Sequence, residues 1–167
     1  MKIELNEFEK EVGMMVAKKR HYMNRDNGVF DDRQTDKMTE LEPDIEGAMS
    51  ELAFCKIAGI YPENVFTFGM SSKRKGTDTG DAKIDGKVFD VKSTKHLKGR
   101  LITRKNNPHV DVYALMVGQE GSYDFKGVME SKDFISSKRY GDHFMFRTPV
   151  FMALQKELIP WEEYINA

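Results

Sequence analysis

Two aspartates and a lysine, Asp81, Asp90 and Lys92, form the part of this sequence that is best suited to chemistry. Between the aspartates lies Asp85-Gly86, a dipeptide that predicts a two-residue β-hairpin turn. In such a hairpin Asp81 lies opposite Asp90, and Lys92 shares their face because it follows Asp90 by two residues. The positions on the other face are apolar and predict core contacts: Ala82, Ile84, Phe89 and Val91.

Two aspartates that face each other on a sheet repel, and a divalent cation between them removes the repulsion. Mg²⁺ keeps several waters and is usually held by one or two carboxylates together with a substrate phosphate. Such a cation can activate a water for attack, and a neighbouring lysine can orient or deprotonate that water or stabilise charge on the phosphate. The pattern therefore predicts a magnesium-dependent phosphodiester hydrolase. The alternative is a solvent-facing hairpin with scattered charges, since Asp-x-Lys alone often occurs by chance.

The distribution of charge favours an anionic partner. The chain has a net charge of −1, but residues 71–109 carry eleven Lys or Arg and four Asp, giving +7, and the remainder carries −8. A basic middle in an acidic chain predicts a local anion-binding surface, with a solvated lysine-rich face as the alternative. DNA is the expected partner, and the candidate contacts are Lys73, Arg74, Lys75, Lys95, Lys98, Arg100, Arg104 and Lys105. His96 and His109 are interpreted as surface residues in preference to catalytic ones.

The segment from Gly80-Asp81 to Asp90-Val91-Lys92, followed by Ser93 and Thr94, resembles the PD-(D/E)XK nuclease superfamily. This superfamily includes type II restriction enzymes, archaeal-type Holliday-junction resolvases and many phage exonucleases. The helical segment 47–53, which contains Glu51, resembles the glutamate-bearing helix that precedes the core hairpin in many members. The chain departs from the motif name by having Gly-Asp in place of Pro-Asp, and Asp90 where glutamate is commoner.

The resemblance implies a role for each matching residue. Asp81, Asp90 and the backbone carbonyl of Val91 are expected to bind Mg²⁺, for which Mn²⁺ can substitute, and Lys92 is expected to be the catalytic lysine. Glu51 is expected to bind the metal directly or through water. Glu46 precedes Glu51 by five residues, about 140° round a helix, so both cannot point at the site equally well.

The periodicity of apolar residues and the positions of turn-forming residues predict the helices and strands that must position this site. We predict an α/β fold in which a central mixed sheet is flanked by helices, with the restriction-endonuclease-like core that the resemblance implies. Helices are predicted over 1–25 and from Pro43-Asp44 to a C-cap at Gly59, with a loop over 26–44 between them. The remaining predictions are strands at 65–68, 81–92, 110–117, 122–129 and 143–147, a basic loop at 69–80, a short helix at 130–138, and a helix or packed extension at 149–165.

Length and composition narrow the class of protein. We expect 167 residues to form a single domain, 1–167, with no membrane span because no run of eighteen apolar residues occurs. The acidic N-terminus does not resemble a signal peptide, and a single cysteine, Cys55, cannot form an intramolecular disulfide. A cytoplasmic location is expected, in the host cytoplasm if the protein is phage-encoded. A homo-oligomer, a non-cleaving nucleic-acid-binding or protein-interaction module, and an RNA-directed enzyme of the same fold remain open alternatives.

Overall fold

The computed structural model describes residues 1–26, 41–67, 80–104, 106–142 and 148–167. The short segments Asn64–Phe66 and Gln155–Glu157 are 3₁₀ helices. The strands and helices follow in this order: β1 (Lys2–Glu4), α1 (Glu7–Asp26), α2 (Glu42–Ala58), β2 (Ala82–Ile84), β3 (Lys87–Thr94), β4 (Leu101–Thr103), β5 (Val112–Gln119), β6 (Ser122–Glu130), α3 (Ser131–Phe134), β7 (Tyr140–Gly141), β8 (Val150–Ala153) and α4 (Trp161–Tyr164).

A mixed five-stranded sheet forms the centre of the molecule, with strand order β1-β6-β5-β3-β2. Its pairings are antiparallel except for β3 and β5, which run parallel. Helix α2 packs on one face of the sheet and α1 packs on α2. On this face aromatic rings meet edge to face around Phe54. The ring of Phe54 lies 5.5 Å from those of Phe89 and Phe125 and 5.8 Å from that of Trp161, measured between centroids. The predicted α/β class, with a mixed sheet and flanking helices, is confirmed.

A second, three-stranded sheet with the order β4-β8-β7 accompanies the first. Its buried residues Leu101 and Ala153 join Tyr113 and Leu115 of β5, and Phe134 of α3, in a second apolar cluster. Strand β5 is therefore buried on both faces, which explains its almost continuous apolar sequence. The first cluster supports the β2–β3 hairpin from the side of the helices. The second cluster holds β4, the strand that follows β3 along the chain.

The hairpin of β2 and β3 has the predicted turn and register. Asp85 and Gly86 have φ angles of 49° and 83°, as a type I′ turn requires. The paired positions are Ile84 with Lys87, Lys83 with Val88, and Ala82 with Phe89. The apolar residues of the hairpin pack into the core under α2, as predicted: Ala82, Ile84, Phe89 and Val91.

Helix α2 ends as predicted, at Gly59, whose φ of 67° is the left-handed conformation that glycine adopts at low cost. It begins at Glu42, with Pro43 in the first turn. Its segment Ala48–Cys55 is buried, in agreement with the apolar residues that cover most of its surface. The buried thiol of Cys55 also agrees with the sequence interpretation.

Several predicted elements are wrong, and others begin or end at different residues in the structure. The helix predicted over 1–25 begins at Glu7, because residues 2–4 pair with β6 as strand β1. The strand predicted at 65–68 is a 3₁₀ turn over the part that the structure describes, and the helix predicted at 130–138 is the single turn α3. The tail contains strand β8 in addition to short helical turns. The predicted strand at 143–147 lies outside the described residues. Among the described helices, none has the length and apolar composition needed to cross a membrane.

Candidate active site

The Asp-x-Lys segment of β3 forms an ion pair along the strand. The ammonium Nζ of Lys92 lies 2.6 Å from Oδ2 of Asp90. The side chain of Asp90 is 15% exposed and that of Lys92 is 35% exposed, so the pair is half-buried but reachable from solvent. Both residues occupy the strand positions that alternate with the buried Phe89 and Val91. The prediction that Asp90 and Lys92 share one face, made from their spacing of two residues, agrees with this arrangement.

Asp81 reaches the same strand by a different geometry from the predicted one. The regular ladder ends at Ala82 and Phe89, so Asp81 and Asp90 do not form the predicted paired positions. Instead the backbone N–H of Asp81 donates to the carbonyl of Phe89 at 2.8 Å. The carboxylate Oδ2 of Asp81 accepts the backbone N–H of Val91 at 2.6 Å. Asp81 is therefore fixed beside β3 through its side chain, next to the segment that carries Asp90 and Lys92.

Gly80 makes this placement of Asp81 possible. Its φ is +68°, and a Cβ atom there would lie 2.3 Å from Cγ1 of Val88 and 2.8 Å from the carbonyl oxygen of Phe89. The carbonyl of Gly80 accepts a hydrogen bond from Nδ2 of Asn64 at 3.1 Å. Proline is locked near φ −65°, so the Pro-Asp of the motif name cannot form this bend. The glycine is thus a geometric requirement of this chain.

Replacing Gly80 with alanine should lower the free energy of unfolding by about 1–3 kcal/mol, because both the positive φ and the contact with the Phe89 carbonyl are strained. Gly80→Pro should cost more, since proline cannot adopt the angle at all. Gly86→Ala is the matched control: Gly86 also has a positive φ, but a Cβ there meets nothing within 4 Å. Urea unfolding of the three variants measures the difference, and an equal loss for Gly80→Ala and Gly86→Ala would rule out the steric part of the explanation.

Glu51 enters the site from α2. Only 7% of this residue is exposed, and Nη1 of Arg20 donates to its two carboxylate oxygens at 3.0 and 2.8 Å. The other terminal nitrogen of Arg20 donates to the carbonyl of Val65 at 2.8 Å. Because Asn64 in turn holds the carbonyl of Gly80, this network joins the glutamate helix to the bend before Asp81.

Glu46, the other acidic candidate on α2, points elsewhere. Its carboxylate accepts the hydroxyl of Tyr123 at 2.7 Å and the backbone N–H of Glu120 at 3.0 Å. These contacts fasten the start of α2 to the turn between β5 and β6. The prediction from helical geometry that Glu46 and Glu51 cannot point at the site equally well agrees with these contacts.

Four ionisable groups of the site influence one another electrostatically: Glu51, Asp81, Asp90 and Lys92. Burial, followed by the charges of Glu51 and Asp90, raises the pKa of Asp81 well above its usual value. Burial also raises the pKa of Glu51, although Arg20 and Lys92 oppose this shift. Burial alone would lower the pKa of Lys92, but Asp90 and Asp81 outweigh it and raise that pKa overall. The site thus favours a cationic lysine, and its three carboxyl groups outnumber the two cationic groups of Lys92 and Arg20.

The residues present fit a hard divalent cation. Asp81, Asp90 and Glu51 offer carboxylate oxygens, which Mg²⁺ and Mn²⁺ prefer, against the two cationic groups of Arg20 and Lys92. The carbonyl of Val91 belongs to the same strand segment, and its N–H is already occupied by Asp81. In the part of the chain that the structure describes, no three His, Cys, Asp or Glu side chains are already grouped as a metal cage. Glu51 and Asp90 instead contact Arg20 and Lys92.

Three of the basic candidates, Lys95, Lys98 and Arg100, follow Lys92 on the connection to β4, and Arg104 comes directly after that strand. Lys95 and Lys98 are exposed, whereas Arg100 and Arg104 are half-buried. Arg100 contacts Sδ of Met152 at 3.0 Å, which attaches it to β8. His96 and His109 are exposed, as expected for surface residues. The other basic candidates lie outside the described residues: Lys73, Arg74, Lys75 and Lys105.

The sequence interpretation missed Arg20 and Asn64. One signal was available for Arg20, since its spacing from Val12 and Val16 places it on the inward stripe of α1. A charged residue on such a stripe requires a buried partner, but its partner Glu51 is 31 residues away. Asn64 offered no signal, because its contact with Gly80 depends on the tertiary fold.

Comparisons of this chain with protein-family models, with curated proteins and with solved structures give no match.

Proposed function

We propose that this protein is a metal-dependent nuclease of the PD-(D/E)XK type that hydrolyses phosphodiester bonds in DNA. The observation that carries the proposal is the convergence of Asp81 and Glu51 on the Asp90–Lys92 ion pair. Four residues from three separate segments contribute to one half-buried site. A hairpin with scattered surface charges would leave its carboxylates solvated and electrostatically independent.

The order of elements supports a restriction-endonuclease-like core. A glutamate-bearing helix, α2, precedes the hairpin that carries Asp81, Asp90 and Lys92. After β4, strands β5 and β6 and helix α3 follow along the chain. Strand β3 lies inside the sheet between β2 and β5, so its Asp-x-Lys segment has a rigid support.

The chain's own residues suggest a division of roles. Asp81, Asp90 and Glu51, with the carbonyl of Val91, are the oxygen ligands for Mg²⁺. When bound, the cation supplies Lewis-acid chemistry, which favours deprotonation of a water and stabilises charge on a phosphate. Lys92 keeps its proton because Asp90 and Asp81 raise its pKa. We therefore assign to Lys92 the stabilisation of negative charge on the phosphate, in preference to the role of general base.

DNA is the proposed substrate because cationic side chains leave the site along the connection that starts at Lys92. Lys95 and Lys98 are exposed on this connection and can contact phosphates without a change of fold. Gln155 donates to the carbonyls of Leu97 and Gly99 at 2.9 and 2.8 Å and fixes the turn between them. Such a substrate implies a cytoplasmic location, which is the host cytoplasm for a phage-encoded enzyme.

A second candidate function is a nuclease-like module that binds nucleic acid without cutting it. The two ion pairs favour this alternative, because Arg20 and Lys92 already neutralise Glu51 and Asp90. Under this proposal the basic connection still binds phosphates, but the carboxylates serve only to hold the fold.

The decisive experiment is cleavage of linear, nicked, branched and single-stranded DNA, and of matched RNA, with Mg²⁺ or with chelator. Wild type, Lys92→Met and Lys83→Met are compared; Lys83 is an exposed lysine of the same hairpin and serves as the matched control. We expect magnesium-dependent DNA cleavage that Lys92→Met loses and Lys83→Met retains. Cleavage by Lys92→Met at the wild-type rate would refute the proposed role of Lys92. Binding without cleavage would support the second candidate, and faster cleavage of RNA would change the substrate.

A further inference from the structure

The outer face of α1 carries large apolar side chains in a regular line. Phe8, Met15 and Tyr22 are 72%, 64% and 63% exposed, and they follow one another at intervals of seven residues. Seven residues are almost two helical turns, so the three side chains lie on one side of the helix. Exposed apolar residues that line up in this way are typical of a contact surface, whereas scattered ones are not.

The packing of α1 within the molecule does not require this line. The opposite side of the helix already packs on α2 through the buried residues Gly13, Val16 and Ala17. A Cβ atom on Gly13 would lie 2.8 Å from Cγ of Met49, which shows how closely the two helices approach. The line of Phe8, Met15 and Tyr22 is therefore additional to the core.

We propose that this face of α1 binds the same face of a second copy of the chain, in antiparallel orientation about a two-fold axis at Met15. In this arrangement Met15 meets its equivalent, and Phe8 lies opposite Tyr22 of the second copy. A two-fold contact requires a surface that is complementary to itself, and residues at equal distances on either side of Met15 meet that requirement.

The charges beside the apolar line select the second copy and the antiparallel direction. Glu7 and Glu11 are exposed before Met15, and Lys18 and Lys19 are exposed after it. Antiparallel pairing brings Glu11 of one copy opposite Lys18 of the other, because both lie on the same side of the apolar line, whereas parallel pairing would bring like charges together. Opposite charges that flank an apolar seam determine the orientation of paired helices.

Neighbouring side chains hold the ring of Tyr22 in place, and the length of α1 limits the strength of the contact between the two copies. Tyr22 packs edge to face on His21 with a centroid distance of 5.7 Å, and Nδ1 of His21 lies 2.8 Å from a carboxylate oxygen of Asp44. A helix of 20 residues is about 30 Å long, and one helix pair buries less surface than a standard interface. We therefore expect a dimer that dissociates in the micromolar concentration range.

Cysteine pairing tests both the contact and its direction. The native thiol of Cys55 is 2% exposed, and burial raises its pKa to about 12, so an introduced cysteine is the reactive one. Under mild oxidation Met15→Cys should form a disulfide-linked dimer by itself. Phe8→Cys and Tyr22→Cys should each remain monomeric, because equivalent positions lie about 20 Å apart and a disulfide needs Cα atoms within about 7 Å. A mixture of the two variants should form the heterodimer.

Tyr61→Cys is the control for random collision, since Tyr61 is 77% exposed and lies outside α1. Cross-linking of Tyr61→Cys as fast as that of Met15→Cys would overturn the proposal, and so would self-linking of Phe8→Cys in preference to the mixture. In parallel, sedimentation of the wild type at concentrations of about 1 to 200 µM should show a mass rising from 19.3 kDa towards twice that value. Met15→Glu should stay at the mass of one chain with an unchanged melting temperature. A wild type that remains at that mass throughout would refute the dimer.

Discussion

Replacing Asp90 with asparagine should reduce magnesium-dependent DNA cleavage by about 1,000-fold or more, the range expected when a group that stabilises charge in the transition state is lost. The substitution keeps the shape of the side chain but removes one cation ligand and the 2.6 Å partner of Lys92. Stability should change little, because the repulsion of Asp90 on Asp81 and Glu51 disappears together with the ion pair. Single-turnover cleavage and thermal unfolding measure the two effects separately.

Asp85→Asn is the matched control for this prediction. Asp85 is an exposed aspartate of the same hairpin, and Asn-Gly also forms the type I′ turn, so its register should survive. Calorimetric titration with Mn²⁺ should give wild-type affinity for Asp85→Asn and weaker binding for Asp90→Asn. Cleavage by Asp90→Asn at the rate of the control would contradict the assignment of Asp90 as a metal ligand.

Replacing Arg20 with methionine should lower the free energy of unfolding by about 3 kcal/mol, because it leaves the buried carboxylate of Glu51 without its cation. The loss should diminish in acid. Burial holds the pKa of Glu51 above its ordinary value, and protonated Glu51 needs no cation, so the penalty grows as the pH rises through that pKa. Urea unfolding at acidic and neutral pH measures this dependence.

The double variant Arg20→Met/Glu51→Leu separates stability from metal binding. Replacing both members of a buried pair with apolar residues of similar size should recover most of the stability lost in Arg20→Met. It should not recover affinity for Mn²⁺, because a carboxylate has been removed. Lys19→Met, at an exposed neighbouring position, controls for the change in helix propensity and net charge. If the double variant were as unstable as Arg20→Met, the unpaired charge would not be the cause of the loss.

The parts of the site that could be predicted are those determined by local sequence. Asp85-Gly86 set the turn, the turn set the register, and the register placed Asp90 and Lys92 on alternate positions from Phe89 and Val91. Gly59 likewise marked the end of α2. In each case the deciding residues lie within a few positions of the feature that they determine.

The parts that could not be predicted depend on distant partners. Strand β1 has three residues and exists because it pairs with β6, about 120 residues later. Strand β4 pairs with β8, where Ile102 and its partner Met152 are 50 residues apart. The contact between Arg20 and Glu51, and that between Asn64 and Gly80, also join segments that only the folded chain brings together. Short strands have too few residues to show a period, so propensity and alternation cannot identify them.

The bend at Gly80 shows a different limit. A regular hairpin would have continued to Asp81 and placed it opposite Asp90, but the ladder stops at Ala82. The positive φ of Gly80 turns the chain, and the Asp81 carboxylate takes the N–H of Val91. The residue types of the site were therefore predictable, whereas the way in which Asp81 approaches β3 was not.

The parallel pairing of β3 with β5 has a consequence for folding kinetics. The central sheet contains two antiparallel hairpins, β2–β3 and β5–β6, with β1 added at the edge beside β6. Each hairpin can form early because its strands are neighbours in sequence. A parallel pair cannot close through a tight turn, so β3 and β5 must meet across residues 95–111 after the hairpins have formed. Collision of two preformed hairpins is then the slow step, and until it occurs the Asp-x-Lys strand lies at an unprotected sheet edge where chains can associate wrongly.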